Sequence, residues 1–277
     1  MSEAAQRRVV LHLRHGGAER GVVRAAAELA QMLGVILHGV FVQDEALPDL
    51  AELPFIREFR LGNGGWQKLD RGRLADEQRA AATDARRLLD EVAAAIGVTR
   101  LFQVIRDDPA LFVAATLHAG DIMVIAQPRL PADRLVHSTA RWLEAAHASA
   151  ASVMLVPQAL LRRSGPVAAV VCGESDPALR IAARIAVAAG EALLLLVFGD
   201  ADLTNAATEH ARGVGLPGRR VRVRAIRSVT PEDVLDGLHD NDERLVVLGR
   251  GACGADDAAV SAHIAASRGV PVLVVEP

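Results

Sequence analysis

The sequence contains no tyrosine and few aromatic residues of any kind, although it is rich in hydrophobic residues. Aromatic residues make up 3% of its 277 positions, whereas hydrophobic residues make up 51%. The core must therefore consist mainly of alanine, valine, leucine and isoleucine, which suits the close packing of helices on a parallel sheet. The length is sufficient for one large domain or two domains of ordinary size.

The chain also lacks a charge excess, a set of cysteines and a long apolar run. Its formal net charge is −3, whereas nucleic-acid-binding domains are usually strongly basic, so we expect no nucleic acid partner. Two cysteines do not form a disulfide framework in so long a chain. No run approaches the roughly 18 apolar residues of a membrane span. The first residues, MSEAAQRRVVLHLRHGG, show no secretion-signal pattern, so we expect a cytoplasmic protein without a membrane partner.

One pattern of elements occurs twice along the chain. VVLHLRHGG, from Val9, has a counterpart in VAAVVCGES, from Val167, and a helical pattern and a second apolar run follow each of them. Each half closes on a short apolar strand, VMLVP in the first half and VLVVE in the second. Strands that alternate with helices indicate a parallel sheet with helices on both faces. We therefore predict domains at residues 1–157 and 166–277, joined by a linker at 158–165.

Two further segments have local patterns of their own. The first half has a longer segment at residues 45–79, in which Phe55, Phe59 and Trp66 either line an apolar ligand site or anchor the segment to the body of the domain. In the second half, RRVRVRAIR at residues 219–227 alternates arginine with apolar residues. This alternation predicts an edge strand whose charges prevent unwanted strand pairing, with an anion-binding patch as the alternative.

The element order, spacing and local motifs of both halves resemble those of a tandem universal stress protein, over nearly the whole chain. The resemblance implies an α/β fold of two Rossmann-like domains, of the adenine nucleotide alpha hydrolase-like type. Each domain would hold a five-stranded parallel sheet of order 3-2-1-4-5, with helices on both faces. The halves would pair about a pseudo-two-fold axis through their last strands, and a homodimer is left open.

The nucleotide-binding members of that family hold ATP between strands one and four, the general ligand position in open α/β sheets. They carry Asp-Gly after strand one, and Gly-x-x-Gly, nine residues and Gly-Ser/Thr after strand four, so that backbone N–H groups approach the phosphates. This chain departs from the first pattern. It has His15-Gly16 in the first half and Cys172-Gly173 in the second.

The second pattern is also incomplete. In the second half, Ala258-Ala259 falls where Gly-Ser is expected, and the first-half loop, AQPRLPADRLVHSTARW, has no glycine. A tight strand-to-helix turn is the favoured explanation of the second-half glycines, and Asp256 and Asp257 would compete with a phosphate for the helix N-terminus. The cofactor is therefore unknown, with ATP as the candidate on an eroded motif. The candidate nucleotide-binding residues are Gly173, Gly249, Gly251, Gly254 and Ser261.

The order 3-2-1-4-5 places Cys172 and Cys253 close together, because strands one and four are neighbours. We expect both thiols to be reduced, with Cys253 the more accessible and its pKa lowered by the nearby helix N-terminus. A redox pair or a soft-metal site is the alternative to two inert residues. The histidines near strand ends, which either converge on a metal or are ordinary surface residues, are His12, His15, His118 and His137.

The sequence shows no nucleophile-base-acid trio, P-loop lysine motif or pair of catalytic carboxylates. We therefore expect no enzyme, no catalytic residues and no metal site. The favoured function is that of a non-enzymatic, universal stress protein-like binding or regulatory module. The first alternative is an ATP- or AMP-binding switch that uses the second domain. The second is a slow nucleotide hydrolase, which would need a positioned base and usually a metal.

Overall fold

A computed structural model describes residues 8–13, 20–43, 53, 55–60, 65–106, 109–127, 138–157, 159–254 and 256–276. The fold alternates strands and helices, as the sequence predicts. The strands are β1 Arg8–Leu13, β2 Ile36–Val42, β3 Arg57–Arg60, β4 Gly65–Lys68, β5 Arg100–Ile105, β6 Ile122–Ala126, β7 Ser152–Val156, β8 Val167–Val171, β9 Leu193–Val197, β10 Val221–Ala225, β11 Leu245–Gly249 and β12 Val272–Val275. The helices are α1 Arg20–Leu33, α2 Arg71–Ile96, α3 Pro109–Thr116, α4 Ser138–Ala148, α5 Pro177–Ala189, α6 Ala201–Gly213, α7 Pro231–Leu238 and α8 Asp257–Arg268.

Ten of the strands form one sheet, in the order β10-β9-β8-β11-β12-β7-β6-β1-β2-β5. Within each half, the main strands follow the order 3-2-1-4-5 and all neighbours are parallel. The predicted fold class is confirmed. No helix in the described ranges is both long and apolar enough to cross a bilayer.

The two halves of the sheet meet at their last strands, β7 and β12, which pair antiparallel. Leu273 lies opposite Met154, and the flanking pairs are Val272 with Leu155 and Val274 with Val153. Each of these strands would otherwise be an apolar sheet edge with unpaired backbone groups. Their pairing therefore makes the sheet continuous between the halves. The domain boundaries at 157 and 166 stay a prediction.

Helix starts and ends follow the local sequence. Asp176 is the N-cap of α5, accepting from the Ala178 N–H at 2.9 Å, and Pro177 occupies the first turn. Gly190 ends the same helix in the left-handed region, at φ 68°. The Thr230-Pro231 pair predicts a cap of the same kind, and Thr230 caps α7 with its hydroxyl accepting from the Asp233 N–H. The Asp108-Pro109 pair predicts a further cap of this kind, but Asp108 lies outside the described residues, and α3 begins at Pro109.

The helices cover both faces of the sheet. On one face, α1 and α5 pack against each other and bury the same spacing of residues, so that a single apolar cluster runs through both halves. On the other face, each half has a cluster of its own, and α4 contacts α8 between them. Ala262 of α8 packs against the first-half cluster. Small alanine side chains allow this close helix-on-sheet packing, in line with the composition.

The long segment of the first half contains the antiparallel hairpin β3–β4. Its aromatic side chains are exposed, at 72% for Phe55, 50% for Phe59 and 66% for Trp66. The expectation that they anchor the segment to the body is therefore wrong. The hairpin instead contacts α2 through Glu58, whose carboxylate pairs with Arg73 at 2.5 Å.

The arginine-rich segment forms edge strand β10, as predicted, but it begins later. A 3₁₀ turn covers Gly218–Arg220, so Arg220 precedes the strand and does not share a face with Arg222 and Arg224. The Arg224 guanidinium donates to the Gly237 carbonyl at 2.8 Å and to the His239 carbonyl at 3.2 Å. It therefore satisfies free carbonyl groups at the end of α7.

The residue directly after the fourth strand of each half reaches into the other half. Gln127 follows β6, and its amide donates to the Ala262 carbonyl at 2.8 Å. Arg250 follows β11, and its guanidinium donates to three carbonyls at the end of α4, at 2.5, 2.8 and 2.6 Å from His147, Ser149 and Ala151. Arg250 also pairs with Glu276 at 2.7 Å. Both residues therefore stabilise the junction of the two halves around the paired strands β7 and β12, which we call the seam.

Arg250→Ala should destabilise the whole chain. The substitution leaves the α4 carbonyls and the half-buried Glu276 carboxylate without their donor, so we expect a loss of about 2–3 kcal/mol and a thermal midpoint lower by about 5–10 °C. Gln127→Ala removes one neutral hydrogen bond and should cost about 1 kcal/mol. Arg87→Ala, at an exposed ion pair of α2, is the control and should change stability by less than about 0.5 kcal/mol. Thermal unfolding of the three variants measures these differences, and an unchanged midpoint for Arg250→Ala would contradict the role of Arg250.

Candidate functional site

The candidate site of the second half lies where strands β8 and β11 end side by side. The two strands pair directly, Leu245 to Val247 against Val167 to Ala169. The loop after β8 contains Gly173, and the loop after β11 leads into α8. The sheet therefore brings both predicted loop regions to one edge.

The loop glycines keep the backbone geometry that a phosphate loop uses. Gly251 and Gly254 have positive φ values, 72° and 112°, which residues with a side chain rarely adopt. Among the described residues, and apart from each glycine's chain neighbours, no atom lies within 4 Å of the position that a Cβ would take at Gly173, Gly251 or Gly254. The predicted tight turn is therefore present, and open space remains beside its backbone.

Two aspartates occupy the backbone donors of this loop. The Gly251 N–H donates to both carboxylate oxygens of Asp257, each at 3.0 Å. Asp256 caps α8 by accepting from the Ala259 N–H at 2.9 Å. These two carboxylates accept hydrogen bonds from N–H groups that a phosphate would need. They would therefore compete with a phosphate, as the sequence predicts.

A third aspartate, Asp176, lies at the same edge. Its Oδ2 accepts from the Cys172 N–H at 2.9 Å, its Oδ1 caps α5, and a Cβ built on Gly249 would lie 3.4 Å from that Oδ1. None of the sequence motifs considered for the nucleotide site includes Asp176. The Asp-Pro pair at the start of α5 signals its capping role, by the same pattern as Thr230-Pro231.

Ser261 and Arg250 are committed to structural contacts. The Ser261 side chain is 1% exposed, and its hydroxyl donates to the Ala258 carbonyl at 3.1 Å inside α8. Arg250, the cation within the Gly-Arg-Gly sequence, donates to the end of α4 as described above. Neither contact involves the loop donors, and the nucleotide role of Gly173, Gly249, Gly251, Gly254 and Ser261 stays a prediction.

The cysteines differ from the prediction in accessibility and in pKa. Cys172 is exposed, whereas Cys253 is half-buried and packs against the apolar cluster of the second half. Desolvation, and then the charges of Cys172 and Asp257, raise the pKa of Cys253 to about 12. Desolvation and Asp176 raise the pKa of Cys172 to about 11. The expectation of an accessible Cys253 with a lowered pKa is wrong, because burial and nearby acids outweigh the helix N-terminus.

The charge of Cys172 contributes to the raised pKa of Cys253, and Cys172 and Cys253 follow the adjacent strands β8 and β11. Both cysteines are free. The described residues contain no group of three or more histidine, cysteine or acidic side chains arranged for a metal. His12 is buried and stacks on Trp142 with ring centroids 4.7 Å apart, while His15 and His137 lie outside the described residues. So does most of the corresponding first-half loop.

Solved structures with this architecture come from several sources. A universal stress protein from Archaeoglobus fulgidus matches with a TM-score of 0.59 and 15% identity, covering 96% of each chain. A protein described as a universal stress protein from Pseudomonas aeruginosa matches with a TM-score of 0.56 and 14% identity, covering 99% of this chain and 94% of that one. The chain has the universal stress protein fold.

The cytoplasmic domain of a prokaryotic cation chloride cotransporter is also similar to the chain, with a TM-score of 0.55 and 12% identity over 97% of this chain and 95% of that one. No family model and no curated protein matches the sequence. The tandem universal stress protein fold is thus recognised from the arrangement of its elements in space, at identities that establish the fold alone.

Alkylation of the two thiols should be slow at neutral pH and should accelerate as the pH rises. A pKa of about 11 leaves roughly one Cys172 thiol in a thousand ionised at pH 8, and Cys253 should react more slowly still because it is less accessible and its pKa is higher. Iodoacetamide labelling of Cys253→Ser reports Cys172, and labelling of Cys172→Ser reports Cys253. The urea-unfolded variants are the control and should label at equal, faster rates. Faster labelling of Cys253 in the folded protein would contradict the proposed environment.

Proposed function

We propose that the chain is a non-enzymatic, universal stress protein-like module for binding or regulation, in which the two halves act as an internal pair. One observation carries the proposal. In the second half, the Gly251 and Ala259 N–H groups already donate to Asp257 and Asp256. The site keeps the outline of a phosphate loop while the chain itself supplies the anion.

The electrostatics of the loop support the same conclusion. A nucleotide phosphate arriving at this edge would meet the carboxylates of Asp176, Asp256 and Asp257. It would have to displace Asp257 from the Gly251 N–H, and the displaced carboxylate would remain nearby as a like charge. Burial and the charge of Arg250 lower the pKa of His147, and they outweigh Asp257 and Asp256, which raise it. The imidazole is therefore neutral at pH 7 and does not offset the charges of these aspartates.

An internal pair also agrees with the contacts at the seam. The last strands pair with each other, and Gln127 and Arg250 each donate across from equivalent positions. Such contacts give each half a partner inside the same chain, as a subunit interface would between two chains. The similar cotransporter structure is a cytoplasmic domain of a larger protein, so this fold also occurs as a module within a longer chain.

A nucleotide switch in the second half is the second candidate, favoured by the open space at the loop glycines. For this function, Asp257 would rotate away and free the Gly251 N–H for a phosphate. A hydrolase ranks last because it also needs a positioned base and usually a metal, for which the described residues around the loop offer no arranged set of ligands.

ATP with Mg²⁺ should bind the purified chain with a dissociation constant weaker than about 100 μM. Asp256→Asn/Asp257→Asn should strengthen binding about tenfold, because the variant removes two like charges while asparagine can still cap the helix. Isothermal titration measures both constants. Asp84→Asn/Asp90→Asn on exposed positions of α2 is the matched control, since it changes the net charge equally, and it should leave the constant unchanged.

Two results of this experiment would contradict the proposal. A low-micromolar constant for the unmodified chain would establish the nucleotide switch in place of a self-occupied loop. Release of phosphate from ATP above the spontaneous rate, lost in Asp257→Asn, would establish a hydrolase. Mass spectra of the protein purified without added nucleotide, first native and then denatured, show whether a nucleotide is carried from the cell.

A further inference from the structure

We infer that a cavity at the seam, between α5 and the first half, binds a small amphipathic anion. The cavity has a volume of about 390 Å³, within the range of small-molecule sites. Its apolar lining comes from both halves and includes Leu33, Val35, Ile122, Ile181 and Val275. None of the loop glycines lines the cavity, so the cavity is a separate site from the candidate nucleotide site.

Two arginines supply the positive charge of the cavity. Arg180 and Arg184 lie one turn apart on α5 and both line the cavity. Both residues are exposed, and within the described parts of the chain neither guanidinium has a hydrogen-bond or ion-pair partner. Two like charges in adjacent turns of a helix repel each other, so an anion bound between them would relieve this repulsion.

The other charged groups of the cavity are already paired. Arg8 donates to the Asp121 carboxylate from Nε and Nη2, each at 3.2 Å, and to the Thr116 carbonyl. Glu276 pairs with Arg250 at 2.7 Å. Arg180 and Arg184 are therefore the charges left for a ligand.

The equivalent groove of the first half shows what is missing here. Helices α1 and α5 bury residues at the same spacing, which makes Arg24 the counterpart of Arg180 and Glu28 the counterpart of Arg184. In the first half, Glu28 pairs with Arg24 at 2.7 Å and with Arg244 at 3.0 Å. In the second half, arginine takes the place of Glu28, so the acid that balances the cluster is absent from the helix.

The chain itself fills the first-half groove. Leu160, Arg162 and Arg163, from the segment that joins the halves, line that groove and leave a space of only about 40 Å³. The corresponding space beside α5 is about ten times larger. Equivalent helices thus border one groove that the chain itself fills, where the helix arginine pairs with Glu28, and one that is open, where the helix carries two arginines and no acid.

These features define the chemistry of the ligand. A carboxylate or phosphate group would lie between Arg180 and Arg184. Both guanidinium groups could donate charge-assisted hydrogen bonds to it, which are stronger than hydrogen bonds between neutral groups. An apolar body of several carbons would contact Leu33, Ile122 and Ile181 and gain from leaving water. Octanoate, with seven alkyl carbons, and octyl phosphate, with eight, carry these two head groups on apolar tails of nearly equal length and distinguish between them.

Titration calorimetry with the full chain tests the site. Octanoate or octyl phosphate should bind, and a difference larger than the roughly fourfold effect of their one extra methylene identifies the preferred head group. Shortening the alkyl tail of the ligand should weaken binding roughly fourfold for each methylene removed. Arg180→Gln/Arg184→Gln should lower the affinity at least about tenfold. Arg86→Gln/Arg87→Gln, a pair of exposed arginines on α2, is the matched control and should bind as the unmodified chain does.

The neutral ligand 1-octanol separates charge recognition from simple apolar binding. It should bind more weakly than the anions and equally to all three proteins. The inference is overturned if neither anion binds, if the Arg180→Gln/Arg184→Gln protein binds as tightly as the unmodified chain, or if octanol binds as tightly as octanoate. Thermal midpoints of the variants should match that of the unmodified chain because both arginines are exposed, and a loss of binding together with a lower midpoint would count against a direct contact.

Discussion

The antiparallel pairing of β7 with β12 is the interaction on which the rest of the structure depends. Without it, each half would expose an apolar edge strand. With it, α1 packs on α5 and α4 contacts α8 on the opposite face. The pairing also brings Gln127 and Arg250 within reach of the opposite half. The register of β7 and β12 therefore determines where the halves meet. It also determines where the cavity between them lies and how the second-half loop is placed relative to α4.

The strand order within each half was predictable because hydrophobic runs, glycine turns and caps agree with one another at each step. Asp176-Pro177 and Thr230-Pro231 mark helix starts that the structure contains. The exposed hairpin β3–β4 was not predictable from composition. Aromatic residues usually indicate burial, whereas here the ion pair of Glu58 with Arg73 holds the hairpin. That contact joins two elements whose approach no local pattern specifies.

The candidate site was predictable in its backbone but not in its side chains. Positive φ at Gly251 and Gly254 follows from a tight strand-to-helix turn, which the sequence indicates. The partner of the Gly251 N–H depends on where the Asp257 side chain points, and the pKa of Cys253 depends on packing against a cluster from other elements. Such properties arise from tertiary contacts, so a motif comparison alone leaves them undetermined.

Helix α5 carries opposite charges at its two sites, and this separates what each site can bind. Asp176 occupies the N-terminus, where the helix dipole favours an anion. Arg180 and Arg184 follow roughly 6 and 12 Å further along the axis. An anion at the loop must therefore displace a carboxylate before it gains from the dipole. An anion at the seam instead meets two cations that have no partner among the described residues, and it displaces none of the described groups. The same helix thus opposes anion binding at the carboxyl ends of β8 and β11, and it supports anion binding at the junction between the halves.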